Sequence, residues 1–147
     1  MHTAEHVLNQ AMIRRFGCAR SFSLHVNSGK AKCDYHFDRP LAEEEIREVE
    51  DAVNAVLLRH LAIRDSSLPR REAEKVVTLS KLPASVTPDS PVRIVEVGDY
   101  DICACIGEHV GNTKEVGVFR IVSHEYTRGE DKAAGVLRIR FCLERSI

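Results

Sequence analysis

No stretch of this chain is long and apolar enough to suggest a membrane span. Its first residues carry neither a basic stretch nor an apolar run, so no signal peptide is expected. An excess of one charge is also missing. Against 21 Lys and Arg stand 22 Asp and Glu, a net charge of −1 that argues against wholesale nucleic-acid binding but leaves room for a local basic patch. The five cysteines (Cys18, Cys33, Cys103, Cys105, Cys142) are odd in number and follow no disulfide-scaffold spacing. They fit a reducing cytoplasm, most of them as small buried apolar groups and one available to a metal. Internal repeats and low-complexity segments are lacking too. What remains is an ordinary globular composition, 44% hydrophobic and 29% charged, expected to form one domain over residues 1–147.

Periodicity divides the chain. Ala4, Val7, Leu8, Ala11 and Met12 recur at helical spacing, which predicts a helix over 2–16 with Gly17 as its stop. At about 100° per residue, His2, His6, Asn9 and Ile13 fall within an arc of roughly 60°, to one side of that apolar stripe. Alternation over 20–27 and 31–38 around Asn27-Ser28-Gly29-Lys30 predicts a hairpin. A second helix is expected from about residue 42, with Glu43, Glu44 and Glu45 in its first turn and Ile46, Val49, Val53, Val56 and Leu57 as its buried stripe. The prolines at 69, 83, 88 and 91 make 64–91 read as a covering connector with one short helix around Arg71–Val77. Strands are expected at 92–97, 102–105, 116–124 and 135–143. The order helix, hairpin, helix, strands gives an α+β fold: a two-layer sandwich with a mainly antiparallel sheet packed against helices.

Two ligand pairs stand out, His2 with His6 and Cys105 with His109, each at i, i+4 spacing. Three imidazoles and a thiolate suit zinc. Roughly a hundred residues separate the pairs, so they can meet only through the fold, unlike the ligands of a local zinc finger. His-Thr-Ala-Glu-His also lacks the general-base placement of the zincin motif, since its Glu precedes the second His. A lone pair of either kind is more often a surface feature than a metal site.

His2-Thr3-Ala4-Glu5-His6-Val7-Leu8 resembles the His-Thr-Ala-x-His-Leu-Leu opening of the editing domain shared by alanyl- and threonyl-tRNA synthetases. Cys105-x-Gly107-x-His109-Val110-x-x-Thr113-x-Glu115-x-Gly117-x-Phe119-x-Ile121 is similar to that domain's second signature. The helix opened by Glu43–Glu45 and the strand at Val92–Val95 take the family's order between them. The closest likeness is to the small freestanding alanyl-tRNA editing proteins. The chain departs from the family at Ile106, Glu108 and Lys114, which stand where Gly, Thr and Gly are usual.

The resemblance implies a cytoplasmic zinc-dependent deacylase that removes a wrong amino acid from the acceptor end of tRNA, with Ser-tRNA(Ala) as the leading substrate. The alternatives are a non-catalytic zinc-stabilised tRNA-binding paralogue and a deacylase for another mischarged tRNA such as Ser-tRNA(Thr). His2, His6, Cys105 and His109 would hold Zn2+. Four ligands would close the shell and leave zinc a positioning role, whereas three would leave one position open. Thr3 and Glu108 are the candidates for a direct catalytic role, against the plainer readings of a helix-start residue and a solvated loop carboxylate. Ser21 and Ser23 could meet a small hydroxylated amino acid. Arg14, Arg15, Lys30 and Lys32 are candidate tRNA phosphate contacts, and Arg138 and Arg140 share one strand face. His25, His36, His60 and His124 have no partner spacing, and neither a stable protein partner nor a membrane is implied.

Overall fold

A computed structural model describes residues 1–27, 29–77, 90–129 and 135–144. The chain runs α1 (His2–Phe16), β1 (Ser23–Asn27), β2 (Lys30–Phe37), α2 (Glu43–Leu57), β3 (Ile63–Pro69), α3 (Arg70–Ala73), β4 (Pro91–Val97), β5 (Asp101–Ala104), a 3-10 turn (Thr113–Glu115), β6 (Val118–Thr127) and β7 (Gly135–Glu144). The fold is α+β, with antiparallel strands throughout. The strands form two sheets: four strands in the order β1-β2-β7-β6, and three in the order β3-β4-β5.

Helix α1 ends at Gly17, whose φ of 67° is the left-handed conformation that closes a helix at little steric cost. Helix α2 begins with Glu45 bonding back to the Ala42 amide at 3.0 Å and buries the stripe expected of it. In β2, Ala31, Cys33, Tyr35 and Phe37 turn inward and join α1, α2 and the inward residues of β7 in one core. Lys30, Lys32, Asp34 and His36 take the opposite face of the sheet by the two-residue period. Strand β6 lies at a sheet edge, where α2 side chains satisfy its outer backbone groups. Asn54 bonds both the N–H and the C=O of Phe119 at 2.8 Å, and Glu50 accepts from the Ile121 amide at 2.6 Å.

Three expectations need correction. The stretch 64–91 is not simply a connector, because residues 63–69 form β3, paired with β4 from Ile63↔Val97 to Pro69↔Pro91. The short helix closes after one turn at Arg70–Ala73, and residues 78–89 of the expected connector lie outside the described residues, as does Ser28 in the hairpin turn. The antiparallel strands of the expected sandwich divide between the two sheets. Finally, α1 is not amphipathic along its first half. Thr3 to Asn9 are all buried, because this part of the helix lies against α2 and against β4 and β5 of the smaller sheet while sharing its core with the larger one. His6 is therefore not beside the core but within it, at 1% exposure.

Candidate metal centre

The smaller sheet positions the second ligand pair. Register pairs Val95 with Cys103 and Val97 with Asp101, so these residues share one face, and Cys105 continues that parity just beyond β5. The other face, with Val92, Ile94, Leu68 and Ala104, packs over Ala73 of α3. The first face meets α1, and there the two ends of the motif converge. Ligand atoms of His6, Cys105 and His109 all lie within 4.8 Å of one another. His109 Nε2 is 3.4 Å from Cys105 Sγ, and the His6 and His109 rings sit edge to face at 4.5 Å. A tetrahedral zinc with bonds of about 2.3 Å to sulfur and about 2.0–2.1 Å to nitrogen sets such atoms about 3.5 Å apart. The donor set and its spacing fit zinc.

His2, the fourth donor of the sequence pattern, stands outside that triplet. Its ring centroid is 6.1 Å from that of His109, and it packs on Gly107 so closely that a Cβ there would come within 2.5 Å of His2 Nδ1. Burial lowers the pKa of His2, helped by the adjacent terminal amine and opposed by Glu108.

Thr3 is buried, and its hydroxyl lies 2.8 Å from His109 Nδ1. If Nδ1–H donates to Thr3, the Nε2 lone pair is directed toward Cys105, the arrangement a ligating imidazole requires. Burial, reinforced by Arg93 and His2, pushes the His109 pKa down to about 4, so the ring is neutral near pH 7 and able to donate its lone pair. Burial raises the Cys105 thiol, against a 3.3 Å hydrogen bond from the Gly107 amide that favours the thiolate. Thr3→Val should therefore weaken zinc binding about 10–100-fold, with Thr3→Ser close to wild type. Competition against a chromogenic chelator measures this, and equal affinities for the valine and serine variants would remove Thr3 from the support of the ligand.

The loop itself is tied on both sides. Arg93 on β4 donates to the carbonyls of Cys105, at 3.4 Å, and of Gly107, and its other nitrogens bond Asp65 of β3. Downstream, the Thr113 hydroxyl donates to Leu57 O at 3.0 Å and accepts from the Leu61 amide at 2.8 Å, fastening the segment after His109 to the end of α2. Strand β3, unread in the sequence, thus supplies part of the brace.

Asp101 and Cys103 also reach the centre, and sequence reading missed both. Cys103 Sγ is 3.2 Å from His6 Nδ1 and 3.5 Å from Nε2, and Asp101 Oδ2 is 3.6 Å from Nδ1. These three form a second possible ligand set. It is the poorer one, because Asp101 already accepts two bonds from Arg20, at 2.7 and 2.9 Å, and one from Gln10 at 2.9 Å. Burial pushes the Cys103 thiol up to about 12, so it stays protonated in the absence of a metal. The signal available in sequence was parity: positions 101, 103 and 105 alternate onto one face.

The remaining candidates scatter. Ser21 is buried with its amide on Asn9 Oδ1 at 3.2 Å and its hydroxyl on the Ser23 carbonyl at 3.4 Å, while Ser23 is half-buried at the start of β1. Asn9 is in turn bonded to Tyr35 and Glu5, so Ser21 borders a buried polar cluster on the helix that carries the histidines. Glu108 is exposed. Arg14 stacks on the Tyr100 ring at 4.3 Å and donates to its carbonyl, and Arg15 pairs with Glu48. Lys30 and Lys32 lie on the sheet face turned away from the helices, so the four basic residues form no single patch. Arg138 and Arg140 pair with Asp34 and Glu125.

Comparison with known proteins agrees with the order of these features. Residues 92–140 match the family described as the threonyl and alanyl tRNA synthetase second additional domain. Over 141 residues, 95% of the chain, it is 33% identical to the alanine–tRNA ligases of Methanopyrus kandleri, Ignicoccus hospitalis and Aeropyrum pernix. The chain spans about 15% of the length of these relatives. No helix among the described residues is long and apolar enough to cross a membrane. The chain is thus similar over residues 92–140 to the second additional domain of threonyl and alanyl tRNA synthetases, and over most of its length to a part of alanine–tRNA ligases.

Proposed function

We propose that this protein is a cytoplasmic editing deacylase that hydrolyses mischarged aminoacyl-tRNA, with Ser-tRNA(Ala) as its substrate. The observation that carries the reading is the convergence of His6, Cys105 and His109 from opposite ends of the chain to within 4.8 Å, beside Thr3. His6, Cys105 and His109 would hold the zinc, with His2 the fourth donor of the sequence pattern standing at the Gly107 side of the loop. Bound there, zinc supplies a fixed positive charge against which the aminoacyl ester is oriented.

The chain's own groups do the rest. Water adds to the ester carbonyl, the bond to the ribose oxygen breaks, and the products are a free amino acid and tRNA with its terminal hydroxyl restored. An aminoacyl ester is already activated, so orientation and exclusion of the cognate amino acid are the main demands. Thr3 fixes the His109 ring, and Arg93 fixes the loop carbonyls. The seryl ester is the substrate that the family resemblance implies, while the Glu5, Asn9, Tyr35 and Ser21 cluster is buried and bonded within itself beneath the helix that carries His6. The acceptor stem would be held by basic residues, exposed Lys30 and half-buried Lys32 foremost because Arg15 is engaged by Glu48.

The test is deacylation of Ser-tRNA(Ala), Gly-tRNA(Ala), Ser-tRNA(Thr) and Ala-tRNA(Ala) by zinc-loaded protein. The expected result is rapid loss of the seryl ester from tRNA(Ala) with the alanyl ester spared. Preference for Ser-tRNA(Thr) would move the substrate, and no acceleration over spontaneous hydrolysis despite tRNA binding would make the protein a binding paralogue.

A further inference from the structure

Ile106 is 93% exposed, the most exposed of the large hydrophobic side chains among the described residues. It is not a frayed tip. Its neighbour Cys105 bonds through its amide to the Arg93 carbonyl at 3.2 Å, and Arg93 grips the carbonyls of Cys105 and Gly107 on either side. Gly107 is wedged against the His2 ring, which leaves no room for a side chain there. The loop is therefore held, and it holds an aliphatic side chain out into water at the rim of the metal centre. A single exposed aliphatic side chain is ordinary on a protein surface; what sets Ile106 apart is that the braced loop fixes it beside the His6, Cys105 and His109 cluster.

We propose that Ile106 is a substrate-docking residue that packs against the base of the 3′-terminal nucleoside. This rests on the deacylase reading, and it concerns the part of the substrate outside the acyl group. An ester presented to His6, Cys105 and His109 must bring its amino acid toward the buried side of the centre, so ribose and base extend outward, where Ile106 stands. Glu108, exposed two residues on, disfavours a phosphate at this rim and leaves the uncharged base as the fitting partner. A flat π-face against a branched aliphatic side chain removes apolar area from water on both.

The test uses zinc-loaded full-length protein and two short oligoribonucleotides ending in CCA, one intact and one with an abasic terminal ribose. Wild type should bind the intact oligonucleotide about tenfold more tightly, the effect of partly burying one aliphatic side chain. Ile106→Asn should lose that preference while keeping its zinc, Ile106→Leu should keep it, and the KM for charged tRNA should rise in the asparagine variant alone. Base preference that depends on Ile106 without any deacylation would uphold this inference and sink the deacylase reading. An unchanged preference in Ile106→Asn would overturn the inference, as would no oligonucleotide binding by wild type. A change of sedimenting mass in place of base preference would assign Ile106 to self-association and overturn it equally.

Discussion

Cys105→Ser should take zinc content from about one ion per chain to a small fraction of that, because a hydroxyl is a far poorer zinc ligand than a thiolate. Cys105 is the sulfur of the triplet with His6 and His109 and sits 3.4 Å from His109 Nε2. Removing it leaves two imidazoles, one of them dependent on Thr3 for its orientation. Since binding to the folded state alone stabilises by RT ln(1 + [L]/Kd), zinc at 100 times its Kd raises wild-type stability by about 2.7 kcal/mol. That increment should vanish in the variant, and the metal-free forms of both proteins should unfold at nearly the same urea concentration. Deacylation should fall with zinc content. Wild-type stoichiometry in Cys105→Ser would free Cys105 of the role, and attention would pass to Cys103, 3.2 Å from His6. Replacing Cys33, which is buried in the main core and belongs to neither candidate ligand set, controls for the loss of any buried thiol.

The sequence carried much of this arrangement and lost parts of it for identifiable reasons. Both long helices, the hairpin and β4 to β7 follow from the spacing of their apolar residues, although α1 and β4 are buried on more than one face. Strand β3 does not. Arg64, Asp65, Ser66 and Ser67 are all exposed at a sheet edge, so nothing alternates, and the strand exists because β4 offers it a ladder. Its loss concealed the brace from Asp65 through Arg93 to the loop at Gly107. The division into two sheets escaped for a related cause, since strand order is a long-range property that local pattern does not encode. The donors His6, Cys105 and His109 were legible as spacing. Cys103 and Asp101 were not, because a cysteine within an apolar strand looks like core and its contact with His6 spans 97 positions. Burial of α1 on several sides likewise has no signature in a helix whose histidines mimic a polar face.

Asp101→Ala should destabilise the metal-free protein by about 3–5 kcal/mol, the cost of stranding one member of a buried ion pair. Arg20 and Asp101 meet through two charge-assisted bonds, at 2.7 and 2.9 Å, with the Asp101 side chain wholly buried and that of Arg20 24% exposed. Their attraction holds the Arg20 guanidinium charged against the desolvation that opposes it. Removing the carboxylate leaves that largely buried cation without its partner and also unties Gln10 of α1. Arg20→Ala should also destabilise, since it leaves the wholly buried carboxylate with Gln10 donating but without its cation. The decisive variant is the double replacement Arg20→Met with Asp101→Leu, which removes both charges and refills the volume. It should be more stable than Asp101→Ala, because an apolar pair incurs no desolvation penalty for an unpaired ion. Urea midpoints at constant m-value measure all three proteins. If the double variant loses as much as the two single losses combined, the pair is uncoupled, and the stability of this region lies in the packing of β5 against α1 and not in the ion pair beneath His6.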